Sequence, residues 1–191
     1  MNPSPLAPAN ETARSLSCAR TLWELATRRA ALTPDRPVFL QSSRSLTFGA
    51  LCARAERVAA GLYAMGVRPG TVVAWQLPTR IETAVLSLAL ARLGAVQSPL
   101  IPFYRDREVA FALRESEASF FAIPGVWRGH DHTAMARRVG ARGVFEAYDT
   151  LPTGDPSTLP APPPPAPRSA GSTGLRAPPP PPRASCTPTA P

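Results

Sequence analysis

Two histidines flank an aspartate at His130-Asp131-His132, a cluster of side chains able to bind a metal or move a proton. A metal site needs a third or fourth ligand at workable spacing, and none stands out, so the three read as solvated loop or helix-cap residues. Cys18, Cys52 and Cys186 lie too far apart for a metal or redox motif. An odd, sparse set of thiols suits a reducing, cytoplasmic compartment. Gly66-Val67-Arg68-Pro69-Gly70 is glycine-flanked, but it follows a helix pattern and precedes a strand pattern. That is the reverse of a dinucleotide fingerprint. All 21 basic residues are arginine and the chain has no lysine. No catalytic, cofactor-binding or metal-ligating residue is therefore assigned.

The elements around these residues alternate between two periods. Thr21-Leu22-Trp23-Glu24 has the form of a capping box, opening a helix to about Ala31 that stops before Thr33-Pro34. Pro37-Val38-Phe39-Leu40 predicts a strand. Ser45-Leu46-Thr47 leads into a helix capped by Thr47, with Leu51, Ala55, Val58 and Leu62 on one face. Gly66 suits the residue after its end. The β-branched run Thr71–Gln76 reads as a buried parallel strand. Residues 80–93, apolar nearly all round, read as a buried helix ending at Gly94. Further strands are predicted at 95–97, 119–123 and 143–145, and helices at 106–117 and 131–139. Helices alternating with buried strands argue an α/β fold with a parallel sheet and flanking helices.

Composition divides the chain in three. Residues 1–19 are rich in Pro, Ala and Ser and predict a disordered N-terminus; residues 20–150 carry the patterned elements; residues 151–191 form a Pro-rich, disordered tail. Fifteen of the 25 prolines fall in those last 41 residues, which cannot bury enough apolar surface to offset ordering. The net charge of +8 comes from arginines interspersed with acids, as in Arg105-Asp106-Arg107-Glu108, with no basic stripe, which argues against nucleic acid. Met1–Asn10 has no secretory pattern, and the longest apolar run, 84–96, is interrupted by Arg92 and too short for a transmembrane segment. Arginine without lysine, with abundant Ala, Pro and Gly, points to a GC-rich gene.

Five stretches together resemble the adenylate-forming (AMP-binding) superfamily of acyl-CoA synthetases, luciferases and peptide-synthetase adenylation domains. They are Leu46-Thr47-Phe48-Gly49-Ala50-Leu51, Gly66–Gly70, Val73-Ala74-Trp75-Gln76-Leu77-Pro78, Ala91-Arg92-Leu93-Gly94-Ala95-Val96 and Pro99–Arg105. Each is weak alone; their order and spacing carry the resemblance. Ala50 departs from the family's usual Glu, in a motif that is structural. The resemblance implies the incomplete N-terminal portion of the large domain of an ATP-dependent acid-thiol ligase. In that family a carboxylate attacks the α-phosphorus of ATP, and coenzyme A then displaces AMP. It implies ATP, Mg²⁺ and coenzyme A for the full-length family and a small-molecule carboxylate as substrate. The phosphate-cradling loop, the Mg²⁺-holding Glu, the ribose-binding Asp and the catalytic lysine all follow the segment seen here, so no cofactor is expected on this chain.

From Pro160 the text has the composition that GC-rich DNA gives out of frame. The frame one base upstream permits Tyr-Trp-Thr-Ser-Gly-Thr-Thr, then Pro-Lys-Gly-Val and His or Tyr, across residues 172–187. That composite resembles the family's phosphate loop at its spacing, so the expectation is a frameshifted, truncated and inactive synthetase. The alternative is a non-catalytic interaction protein, because Arg176-Ala177-Pro178-Pro179-Pro180-Pro181-Pro182-Arg183 fits a PxxP ligand in polyproline II form.

Overall fold

A computed structural model describes residues 16–148 and 150–164. The expectations for residues 1–15, and for the frame and PxxP readings from 165 onward, lie outside the described residues. Residues 16–19 already make a turn, closed by the Ala19 N–H on the Leu16 carbonyl (3.1 Å).

Helix α1 (Leu22–Leu32) starts on Thr21, whose hydroxyl accepts the Glu24 N–H at 3.0 Å. Only this half of the box forms, because the Glu24 carboxylate takes the Arg20 N–H instead, at 2.8 Å. Strands β1 (Pro37–Gln41) and β2 (Arg44–Thr47) pair antiparallel, with a bulge between Pro37 and Phe39. Helix α2 (Phe48–Ala64) is capped by Thr47, and Leu51, Ala55, Val58 and Leu62 are buried as their spacing requires.

A four-stranded parallel sheet follows, made of β3 (Val72–Trp75), β4 (Val96–Pro99), β5 (Phe120–Ile123) and β8 (Val144–Glu146). Its order is β4-β3-β5-β8. Helix α3 (Ile81–Leu93) connects β3 to β4, and α4 (Asp106–Glu115) carries the chain from β4 back across β3 to β5. Between β5 and β8 lie a small hairpin, β6 (Val126–Trp127) with β7 (His130–Asp131), and then α5 (His132–Arg138). The sequence pattern did not predict that hairpin: two-residue strands are too short to show alternation.

Side chains alternate across the sheet with the strand period of two. Val73 and Ala122 join the core under α1, α2 and α3. Ala74, Phe121 and Ile123 join the core under α4 and α5, with Val109 and Met135. The sheet is thus one layer between two helical layers. The strands are not all buried as predicted. Edge strand β4 leaves Val96 half exposed, and the other edge, β8, leaves Val144 exposed. Helix α3, by contrast, is enclosed almost completely, with Val85, Leu86, Ala89 and Leu90 fully buried.

A hydrogen-bonded ion pair ties the β1–β2 hairpin to this enclosed helix. Glu82 is 7% exposed and its carboxylate accepts from Arg44 of the β1–β2 hairpin at 2.6 Å. Burial alone would raise the Glu82 pKa; the hydrogen bond and charge of Arg44 outweigh it and hold the carboxyl below its usual value. The pair's stability is therefore present above the unfolded carboxylate pKa and is lost as pH falls through the lower folded value. Arg44→Ala should destabilise by about 1–3 kcal/mol at neutral pH, because a buried acceptor loses its partner. Urea unfolding at pH 7 and pH 3 should show the deficit shrinking in acid.

Candidate functional site

In an open parallel sheet, ligands gather outside the carboxyl ends of the strands where the strand order reverses. Here the chain runs from β3 out to β4 and back past β3 to β5, so the reversal lies between β3 and β5. The loop after β3 is Gln76-Leu77-Pro78-Thr79-Arg80. Gln76 is fully buried; its amide nitrogen donates to the carbonyls of Ile101 (3.0 Å) and Tyr104 (2.9 Å), tying this loop to the one after β4. The Pro78 carbonyl accepts from the Thr83 hydroxyl (2.7 Å) and the Tyr148 hydroxyl (3.0 Å). Arg80 lies over the Tyr148 ring at 4.4 Å. Burial pushes the Tyr148 phenol up to about 12, so it stays a neutral donor.

The loop after β5 brings in the histidines. Asp131 caps α5 as expected, accepting the Ala134 N–H at 2.9 Å. His132 departs from the solvated reading: it is fully buried, its Nδ1 lies 3.2 Å from the His130 carbonyl, and its ring meets the His130 ring edge-on at 4.7 Å. The reason lies in α5, whose first residue faces the α4 side of the sheet beside Met135 and Ala136. Trp127 stacks obliquely on Phe103 (centroids 5.5 Å), and the Arg128 guanidinium sits 5.0 Å from the Trp127 ring. Burial, then the neighbouring Arg105, lowers the His130 pKa, so the ring is neutral at pH 7. Arg138 donates twice to Asp106, at 2.7 and 2.9 Å, joining α5 to α4.

This rim is built for rigidity. The Thr133 hydroxyl donates to the Glu146 carboxylate at 2.8 Å, and among the described residues no group of three or more His, Cys, Asp or Glu can hold a metal. Sequence reasoning did not place Gln76 and Tyr148 at this rim, because their partners lie 25 to 70 positions away. No helix of the described residues is long and apolar enough to cross a membrane.

The architecture is that of an α/β enzyme subdomain with a parallel sheet, its ligand edge framed but not furnished with reacting groups. The chain belongs to the AMP-binding enzyme family, whose model matches residues 26–186. It is 32% identical, over 63% of its length, to the 2-hydroxy-7-methoxy-5-methyl-1-naphthoate–CoA ligase of Streptomyces carzinostaticus, covering 22% of that protein. It is 31% identical, over 69% of its length, to the 2,3-dihydroxybenzoate-AMP ligase of Bacillus subtilis, covering 25% of it. Among solved structures, a Rhodopseudomonas palustris protein described as a long-chain-fatty-acid CoA ligase superimposes with a TM-score of 0.60 at 30% identity. That match covers 68% of this chain and 33% of the other. The chain thus spans between about a fifth and a third of the length of these relatives.

The family match continues in the given reading frame beyond Pro160. It takes in Gly171-Ser172-Thr173-Gly174, a run of the small hydroxylated and glycine residues that phosphate-cradling loops use.

Proposed function

We propose that this chain is the N-terminal portion of an ATP-dependent acyl- or aryl-CoA ligase and is by itself inactive. The observation that supports this is the family match over residues 26–186 in a chain with no lysine anywhere. In the full-length family, adenylation of a carboxylate is followed by thioester formation with coenzyme A, and ATP and Mg²⁺ serve the first step. The 191 residues include no lysine to neutralise charge developing at phosphorus. No catalytic step is therefore routed through them here. The role of residues 16–164 is structural, holding the first parallel sheet and its rim. The relatives include both aryl and fatty acid ligases, so the substrate class is a carboxylic acid of either kind, used in the cytoplasm.

The tail is read as out of frame from about Pro160. A second reading has the in-frame Gly171–Gly174 run as the loop, which the extent of the family match favours. The nucleotide sequence downstream of the Leu159 codon decides between them. A family reading frame one base over, open for several hundred codons, supports the frameshift. Early stops in that frame, with family sequence continuing in the given frame, would overturn it. If the Pro-rich tail is instead a PxxP ligand, removal of residues 160–191 should abolish binding to an SH3-type domain in a titration.

A further inference from the structure

Residues 151–164 were expected to be linker and disordered tail, yet they cross the helical layer and are held at several points. Leu151 and Leu159 pack against the core formed by α1, α2 and α3. The Gly154 N–H donates to the Arg57 carbonyl in the middle of α2, at 2.9 Å. The approach there is backbone to backbone: a Cβ on Gly61 would run into the Pro152 carbonyl and lie 2.5 Å from the Thr153 nitrogen. Asp155 accepts the Ser157 N–H and caps a 3₁₀ turn at Pro156–Thr158. Pro163 then sits over Gly94, where a Cβ would meet its Cγ at 2.5 Å.

Arg92 is the one cation in this arrangement that is buried. It is 6% exposed, on the last turn of α3. A terminal nitrogen donates to the Pro160 carbonyl at 2.8 Å. Glu56 lies 3.9 Å from its Nε, beyond hydrogen-bond range, and the Trp23 ring lies 5.7 Å from the guanidinium carbon. Nε and the other terminal nitrogen have no acceptor among the described residues. A guanidinium has five N–H donors, and burying it on so few acceptors costs stability. A methionine there would be a more favourable core residue. What the cation does that methionine could not is bind a main-chain carbonyl of the crossing segment.

We propose that residues 151–164 form a strap, and that Arg92 is the positioning residue that latches it to α3 and so fixes where the following segment leaves the sheet. The strap ends beside Gly94, whose carbonyl accepts the Gly70 N–H at 2.9 Å. Gly94 precedes β4 and Gly70 precedes β3, so the chain departs from the amino ends of these strands, opposite the rim described above. That the departing segment leads to a phosphate-binding loop rests on the proposed function; the strap does not.

The test is amide hydrogen exchange on the full 191-residue chain, comparing wild type with Arg92→Met, Arg92→Lys and Gly61→Ala. In Arg92→Met, exchange at Gly154 and Leu159 should accelerate by about tenfold or more as the strap opens locally. Amides inside α3, from Val85 to Leu90, should change less than about twofold. Arg92→Lys should restore most of the Gly154 protection by supplying one donor to the Pro160 carbonyl. Gly61→Ala, which presses on the strap from the other side, should release the same amides. Unchanged protection at Gly154 and Leu159 in both Arg92→Met and Gly61→Ala overturns the strap. Equal loss of protection throughout α3 and the strap in Arg92→Met overturns the latch, because Arg92 would then be a general core residue. Either failure leaves the family reading intact, and a contrary gene sequence leaves the strap intact.

Discussion

ATP–pyrophosphate exchange by the 191-residue chain should not rise above an enzyme-free blank with any member of a panel of aryl and fatty acids. Adenylate formation concentrates negative charge around the α-phosphorus, and a fixed cation aimed at that charge lowers the barrier. Losing one such preorganised group typically costs about 10²–10³ in rate. That group is absent here, because the chain has no lysine. The chain also covers only about 22–33% of the relatives' lengths. Arginine is not an equivalent substitute: its planar fork delivers charge through a different geometry. A full-length relative assayed beside it supplies the positive control. Exchange clearly above blank, abolished by removal of residues 165–191, would show that the tail carries a working phosphate site in the given frame.

The second large effect is on stability. Phe121→Ala should destabilise the chain by about 3–5 kcal/mol, as truncations of fully buried aromatics do. Phe121 is fully buried at the centre of the sheet, between neighbours β3 and β8, and packs with Val109 and Met135 from the two helices on that face. Phe111, on the outer side of α4, is 57% exposed, and Phe111→Ala should change stability by no more than about 0.5 kcal/mol. Urea unfolding followed by circular dichroism measures both. The same experiment tests whether this segment folds cooperatively. Enclosure of α3, as its all-round apolar pattern predicts, argues that it does. The association hazard sits elsewhere, on edge strand β4 and on Ile101, Phe103 and Val126, each more than half exposed. Sizing chromatography should show concentration-dependent association that a charge at Val126, as in Val126→Glu, reduces.

The family was legible in the sequence because its signals are local. Thr47 and Gly66 mark the two ends of α2 through one hydroxyl and one positive φ, and the apolar steps between them set the buried face. The run Thr71–Gln76, the all-apolar helix and Gly94 follow the same logic, so the alternation of strand and helix could be read directly. The absence of lysine, and with it the expectation of no catalysis, needs no structure at all. What the sequence left undetermined was decided by contacts between distant residues. Strand order β4-β3-β5-β8 made β4 an edge, and its Gln97, Ser98 and Pro99 suit that place better than the wholly apolar β3 and β5 would. His132 is buried because α5 docks on the α4 face of the sheet, a choice its own residue type does not make. Arg92 was read only as the break in an apolar run, and its partner Pro160 lies 68 positions away. Proline-rich composition predicts poor burial on average. Two leucines, two close glycine approaches and a buried guanidinium suffice to hold residues 151–164 in place.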